Sequence, residues 1–244
     1  MGPRKLLGML TPSSNTVLEP YSSAMVAHLV PEVSIHFGRF RVTEISLSER
    51  ALSQFDEAPL LQAAGLLRDA HTDVIAWNGT SGGWKGLAAD RALCAAITEE
   101  TGIVSTTSTL ALVDAFRERG LTRYALVTPY LDDIQARIVE TFAEEGLDCV
   151  AERHLDDKGN FSFSDVPEDR IAGLIREVAA EKPDVITTYC TNFRGARLAE
   201  DLEREIGIPI YDTVSLTVWK SLLLCGVDPA RVMGWGSLFS GRIS

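Results

Sequence analysis

Metal-ligating residues are sparse in this sequence. Its four cysteines (Cys94, Cys149, Cys190 and Cys225) lie far apart with no CxxC pair, and its four histidines are scattered. That spacing argues against a zinc site and a disulfide framework, so free thiols in a reducing cytoplasm are expected. No apolar run approaches the roughly 20 residues of a membrane span. The opening stretch MGPRKLLGMLTPSSNT is too short in apolar residues for a secretory signal. Basic blocks are lacking too: 23 Lys and Arg face 34 Asp and Glu, a formal net charge of -11. Neither nucleic acid nor an anionic membrane is therefore an expected partner. An anionic small molecule gains nothing from that net field and must be held by local donors. Neither GxxxxGK[ST] nor GxGxxG occurs, which disfavours nucleotide binding.

What remains is an ordinary globular composition over 244 residues, 45% hydrophobic and 23% charged, with enough length for a large core. Short runs rich in Val, Ile and Tyr predict strands at Lys5–Leu10, Val33–Val42, Val74–Trp77, Ile103–Ser105, Tyr124–Val127, Asp148–His154, Val185–Thr188 and Ile208–Tyr211. Between them, helical periodicity covers Pro59–Ala70, Leu87–Glu100, Thr109–Arg119, Asp132–Glu145, Glu168–Ala180, Arg194–Ile206 and Val214–Cys225. Gly102, Gly120, Gly146 and Gly207 each stand just past a helix, where a left-handed residue ends it. Strand–helix alternation of this kind predicts parallel sheets covered on both faces.

An internal repeat sharpens this reading. TDVIAWNGTSGG (72–83) aligns with PDVITTYCTNFRG (183–195), MLTPSS (9–14) with LVTPYL (126–131), and TGIVSTTSTLAL (101–112) with IGIPIYDTVSLT (206–217). Three elements recur in the same order, so two pseudo-symmetric Rossmann-like α/β lobes are expected. The first takes residues 1–112 with 214–244, its C-terminal helix returning to it, and the second 113–213. Ligands of open α/β sheets sit outside the carboxyl ends of the strands. The TP and DVI segments end at such edges, which places a site in the cleft between the lobes. Under this alignment Cys190 falls opposite Gly79, Thr191 opposite Thr80 and Tyr130 opposite Ser13.

On the segments TPSSNT (11–16), NGTSGG (78–83), TPY (128–130), GNFSFSDVP (159–167) and CTNFRG (190–195), the whole chain resembles the Asp/Glu racemase superfamily. The resemblance is to its maleate cis-trans isomerase and arylmalonate decarboxylase branch. It implies the two-lobed parallel fold and chemistry at the α-carbon of a small carboxylate or dicarboxylate, with no cofactor and no metal. Racemases of this group resemble each other in carrying one cysteine per lobe, and maleate isomerases likewise use two. Here Gly79, followed by Thr80 and Ser81, stands at the first-lobe position and Cys190 alone remains in the second lobe, an arrangement that resembles arylmalonate decarboxylase. The resemblance also implies substrate contacts for Asn15 and for Asn160, in a loop that closes over the ligand.

The chemistry follows from first principles. Loss of carbon dioxide from a malonate leaves an enediolate, and fixed donors aimed at its oxygens lower the barrier by about 3–4 kcal/mol each. Thr80, Ser81 and Tyr130 are suitable uncharged donors, and Cys190, a thiol with an ordinary pKa near ~8.5, supplies the single proton. Ser13, Asn15, Gly79, Asn160 and Thr191 complete the expected binding set. Blander roles compete: Cys190 as a buried thiol, the Gly-rich loop as a turn, Tyr130 as a strand cap, Asn15 as a helix cap with Ser13 and Ser14 also available. An isomerase or racemase with another base, and a carboxylate-binding protein without turnover, are the alternatives. Association into a homo-oligomer is left open.

Overall fold

The computed structural model describes residues 4–48, 54 and 57–241. Two four-stranded parallel sheets form the frame. The first holds β1 (Lys5–Pro12), β2 (Val33–Phe40), β3 (Val74–Trp77) and β4 (Ser105–Thr107) in the order β2-β1-β3-β4. The second holds β5 (Arg123–Thr128), β6 (Asp148–His154), β7 (Val185–Thr188) and β8 (Ile210–Asp212) in the equivalent order β6-β5-β7-β8. The registers repeat as well: Leu7 faces Val74 in one sheet and Tyr124 faces Val185 in the other. β3 and β7 are buried along their whole length, as strands covered on both faces should be.

Helices α1 (Leu18–Val26), α2 (Glu57–Asp69), α3 (Gly82–Lys85), α4 (Leu87–Thr101), α5 (Ser108–Glu118), α6 (Asp132–Glu144), α7 (Glu168–Ala179), α8 (Ala199–Ile206), α9 (Thr213–Leu224) and α10 (Ser237–Ser240) cover the sheets. Gly102 and Gly207 end α4 and α8 in the left-handed conformation that glycine adopts without a Cβ penalty. The caps of α5 and α9 occupy equivalent places: the Thr107 hydroxyl accepts from the Leu110 amide at 3.0 Å, and the Asp212 carboxylate from Val214 at 2.8 Å. The two helices pack on each other, with Ser108 Oγ 2.7 Å from Thr217 Oγ1. α9 is buried nearly all round, which explains its weakly amphipathic sequence, and it packs on α1, α5, β3 and β4.

All eight expected strands are present, with small differences at their ends. β4 and β8 begin two residues later than their patterns suggest. Pro209 has no N–H to give the ladder, and Val104 and Pro209 contribute only their carbonyls, to Ile75 and Ile186. The segment expected to be helical from Arg194 starts instead as a loop and a 3-10 turn at Ala196–Leu198. Arg194 reaches the Val166 carbonyl at 2.8 Å, and Gly195 lies flat on the Thr188 and Asp212 side chains. α1 went unanticipated because LEPYSSAMV carries Pro20 and two serines, poor helix formers; Pro20 is tolerated in the first turn, where no intrahelical N–H bond is required.

Candidate active site

In each sheet the chain runs from the first strand to one side and then crosses back to the other, so the order reverses between the first and third strands. Crevices form at that switch point. The two crevices face each other, and the loops after β1, β3, β5 and β7 meet there. Together with Val42, Ile45, Asn160 and Trp84, residues Pro12, Trp77, Gly79, Thr80, Ser81, Tyr130, Cys190, Thr191 and Asn192 line one cavity of about 20 Å³, room for roughly one water.

Local structure explains how each group arrives. After β3, residues Thr80 and Ser81 accept the first amides of α3: Gly83 donates to Thr80 O at 2.9 Å and Trp84 to Ser81 O at 3.2 Å. Gly82 and Gly83 are dictated by close approach, since a Cβ on Gly82 would lie 2.4 Å from the Asp90 carboxylate and one on Gly83 2.8 Å from the Tyr189 ring. Tyr189, fully buried after β7, receives the Thr109 hydroxyl at 2.7 Å and donates to the Thr80 carbonyl at 3.0 Å, so the second lobe pins the first-lobe loop. The Thr80 hydroxyl lies 2.6 Å from the Tyr130 hydroxyl. Tyr130 is wedged edge-on against Trp84 and Phe163.

Cys190 is 3% exposed and closes this chain of hydroxyls. The neighbouring Tyr130 hydroxyl and Asn192 amide pull the thiol down, as the Thr80 hydroxyl does the Tyr130 phenol. Burial nevertheless dominates and pushes the thiol up to about 12, with Asp212 and Asp157 adding in the same direction. Burial likewise raises the Tyr130 phenol well above its ordinary range. Every titratable group lining the cavity is thus held neutral. The other cysteines are elsewhere: Cys225 is buried away from the cavity, and Cys94 and Cys149 are half-buried.

The asparagine network bridges the lobes. Asn15 accepts the Val17 and Leu18 amides at the start of α1, 2.9 and 3.0 Å, and donates to Thr191 Oγ1 at 3.2 Å. Thr191 passes its proton to the Asn78 carbonyl at 3.2 Å. Asn192 accepts from the Thr16 amide and donates to the Asn160 carbonyl at 2.6 Å, while Asn160 donates to Ser14 Oγ at 2.9 Å. The loop carrying Asn160 thereby closes over the cavity.

Two expected placements differ. Ser13 and Ser14 do not cap α1; both donate to the Val42 carbonyl, because the capping position is taken by Asn15. Ser13 is exposed and outside the cavity, so its position opposite Tyr130 in the repeat does not carry over to the site. Asn15 lies behind Thr191, one contact removed from the lining. Trp77, Tyr189 and Asn192 were not singled out as site residues. No motif in the sequence singles out any of the three: Trp77 and Tyr189 lie in buried strand-end runs, and Asn192 simply follows Cys190 and Thr191.

Two buried carboxylates flank the loops. Asp212 takes the Thr188 hydroxyl at 2.6 Å and the Val214 and Ser215 amides, yet full burial without a cation raises it to about 7. Asp90, in the first lobe, is raised by burial to about 6 against the hydroxyls of Thr107 and Thr109. A carboxyl raised above its unfolded value near ~3.9 contributes stability fully below that pH and loses it as pH rises through the folded value. Melting temperatures of the wild type and Asp212→Asn should therefore converge as pH rises from about 4 to about 7, because only the wild type ionises a carboxyl at position 212. A difference independent of pH would contradict this assignment.

Among the described residues no group of three or more His, Cys, Asp or Glu could hold a metal, and no helix is long and apolar enough to cross a membrane. Two equivalent parallel α/β lobes, meeting at their switch points around one thiol, define a two-lobed fold of the Asp/Glu racemase type. Within it, the chain belongs to the arylmalonate decarboxylase family, whose model matches residues 18–239. It is 28% identical to the arylmalonate decarboxylase of Bordetella bronchiseptica over 236 residues, covering 96% of this chain and 95% of that one. It is 27% identical to the maleate isomerase of Nocardia farcinica over 248 residues, covering 98% and 96%. Among solved structures, the Nocardia farcinica maleate cis-trans isomerase with a covalently bound succinylcysteine intermediate superposes with a TM-score of 0.90 at 24% identity, covering 99% of this chain and 100% of that one. A crystal structure of arylmalonate decarboxylase gives 0.76 at 24% identity, covering 96% and 99%.

Proposed function

We propose that this protein is a cofactor-independent decarboxylase of a substituted malonate. The observation that carries the reading is the lining of the cavity: one neutral thiol, hydroxyls and amides, and no charged side chain among the described residues. Such a site can give a proton but holds no base to take one. Decarboxylation asks for no more than that. The bond between the α-carbon and the departing carboxylate breaks, carbon dioxide leaves, and the electron pair stays as an enediolate on the remaining carboxylate.

The hydroxyls of Thr80, Ser81 and Tyr130 are the donors that hold this developing charge, as fixed donors do where they lower a barrier. Pro12, Val42, Ile45, Trp77 and Trp84 supply the apolar wall against which the departing carboxylate becomes neutral gas. Cys190 then delivers its proton to the α-carbon from the second-lobe side and regains one from water once product leaves. Thr191 and Asn160, with Asn15 behind Thr191, are the donors for the carboxylate that stays; Gly79 leaves the opposite face without a functional group.

The named relatives include maleate isomerases over the same span, so isomerisation of a small dicarboxylate is the second reading. It requires either Cys190 as a thiolate, against the direction in which burial drives it, or another base or water in place of the missing first-lobe thiol. A carboxylate-binding protein without turnover is the third. Proton NMR in D2O with phenylmalonate, methylmalonate, maleate and aspartate separates them. Carbon dioxide release with one deuterium at the α-carbon is expected. Fumarate from maleate, or α-exchange without loss of carbon, moves the protein to the isomerase side. Binding without turnover, unchanged in Cys190→Ser, leaves the third reading.

A further inference from the structure

Gly79 is glycine for a steric reason that lies two residues upstream. Its backbone does not occupy the left-handed region, so an L side chain is conformationally admissible. Space forbids it: a Cβ built there would lie 1.9 Å from Cζ2 and 2.2 Å from Cε2 of the Trp77 indole. The ring is not free to swing away. Trp77 is 1% exposed, its Nε1 donates to Ser81 Oγ at 3.3 Å, and it packs on Phe40 with centroids 5.0 Å apart. In extended chain, residues i and i+2 point to the same side, so positions 77 and 79 share one volume.

The other lobe divides the equivalent volume the opposite way. Thr188 stands where the repeat places Trp77, and Cys190 where it places Gly79. Thr188 is small and gives its hydroxyl to Asp212, so no large ring stands two residues before the thiol. One lobe is thus large then absent, the other small then reactive.

We propose that Trp77 is the specificity-determining residue that confines reaction to one face of the substrate, by filling the volume a first-lobe thiol needs. The proposal rests on the decarboxylase reading for what the single face means, while the steric pairing stands apart from it. With that volume restored to a thiol, a thiolate at position 79 takes the α-proton of the product. The carbon keeps the electron pair as an enediolate, and the Cys190 thiol returns a proton to the opposite face, so the two sulfurs exchange protonation states.

The test combines melting temperatures of Gly79→Cys, Trp77→Thr and the paired variant with NMR in D2O. The NMR follows α-proton exchange of the acid that the wild type forms from its malonate. Gly79→Cys is expected to melt well below the wild type, and to lose about 5 °C less when Trp77→Thr is already present, a coupling that distant sites do not show. Only the paired variant should exchange and racemise the product. If Trp77→Thr itself fails to fold, Trp77→Leu replaces it in the same cycle. A Gly79→Cys variant that melts like the wild type, equal losses in both backgrounds, exchange by Gly79→Cys with Trp77 in place, or a stable paired variant without exchange each overturns the proposal. Absence of carbon dioxide release from every malonate overturns the decarboxylase reading instead, and the melting cycle then decides the steric pairing by itself.

Discussion

Cys190→Ala is expected to lower kcat for malonate decarboxylation by about 100- to 10,000-fold, the span that a positioned general acid contributes. The melting temperature should fall little, because the thiol is a small group whose removal leaves the hydroxyls around it bonded to one another. What product remains should be racemic, since water replaces a donor fixed on one side. The wild-type pH profile belongs to the same prediction. An acid is active while protonated, and burial holds this thiol protonated up to about 12, so kcat should stay flat from pH 7 to 9.5. A decline centred near the ordinary thiol value of ~8.5 would mean that Cys190 titrates as an exposed group. Kinetics of both proteins across that range, with chiral analysis of the residual product, checks all three statements.

Tyr130→Phe should cost about 100- to 1,000-fold in kcat, the loss seen when one preorganised donor to a developing oxyanion is removed. The phenol is 2% exposed and its ring is fixed by Trp84 and Phe163, so phenylalanine fits the same space and the fold is retained. Two influences disappear with it: the 2.6 Å bond to Thr80 and the phenol's downward pull on the Cys190 thiol. Losing the second removes a group that lowers the thiol, so the variant should show no new alkaline limb. KM should change less than kcat, because the phenol acts on charge that exists only after carbon dioxide has begun to leave. Comparison with Thr80→Ala completes the test: the two losses should fall short of additivity in the double variant, since the hydroxyls form one chain.

The frame of the molecule was legible because parallel strands buried on both faces write themselves as runs of β-formers without polar–apolar alternation: VIAW is apolar throughout and VITT is β-branched throughout. The repeat then located the cleft: Thr80, Ser81, Tyr130, Cys190 and Thr191 meet there because equivalent strand ends face one another. Ser13 shows where that argument stops. Pseudo-symmetry placed it opposite Tyr130, yet a short serine at that place satisfies itself on the Val42 backbone at the surface, whereas a tyrosine ring reaches the cavity. Tyr189 was hidden because its role is a hydrogen bond across the lobes, invisible to any local pattern. Trp77 was legible in principle. A tryptophan aligned with a threonine, two residues before a glycine aligned with a cysteine, is a volume exchange, but it takes the indole's position against Gly79 to show that the two changes compensate. α1, with its proline and serines, is stabilised by burial of Leu18, Met25 and Val26 rather than by propensity.

The central claim is that one neutral thiol protonates the carbanion from one side. A prochiral disubstituted malonate, decarboxylated by the wild type in D2O and analysed by chiral chromatography with mass detection, tests it most directly. The account predicts a single enantiomer carrying one deuterium at the α-carbon. A racemic product, or a product without deuterium at the α-carbon, would contradict it.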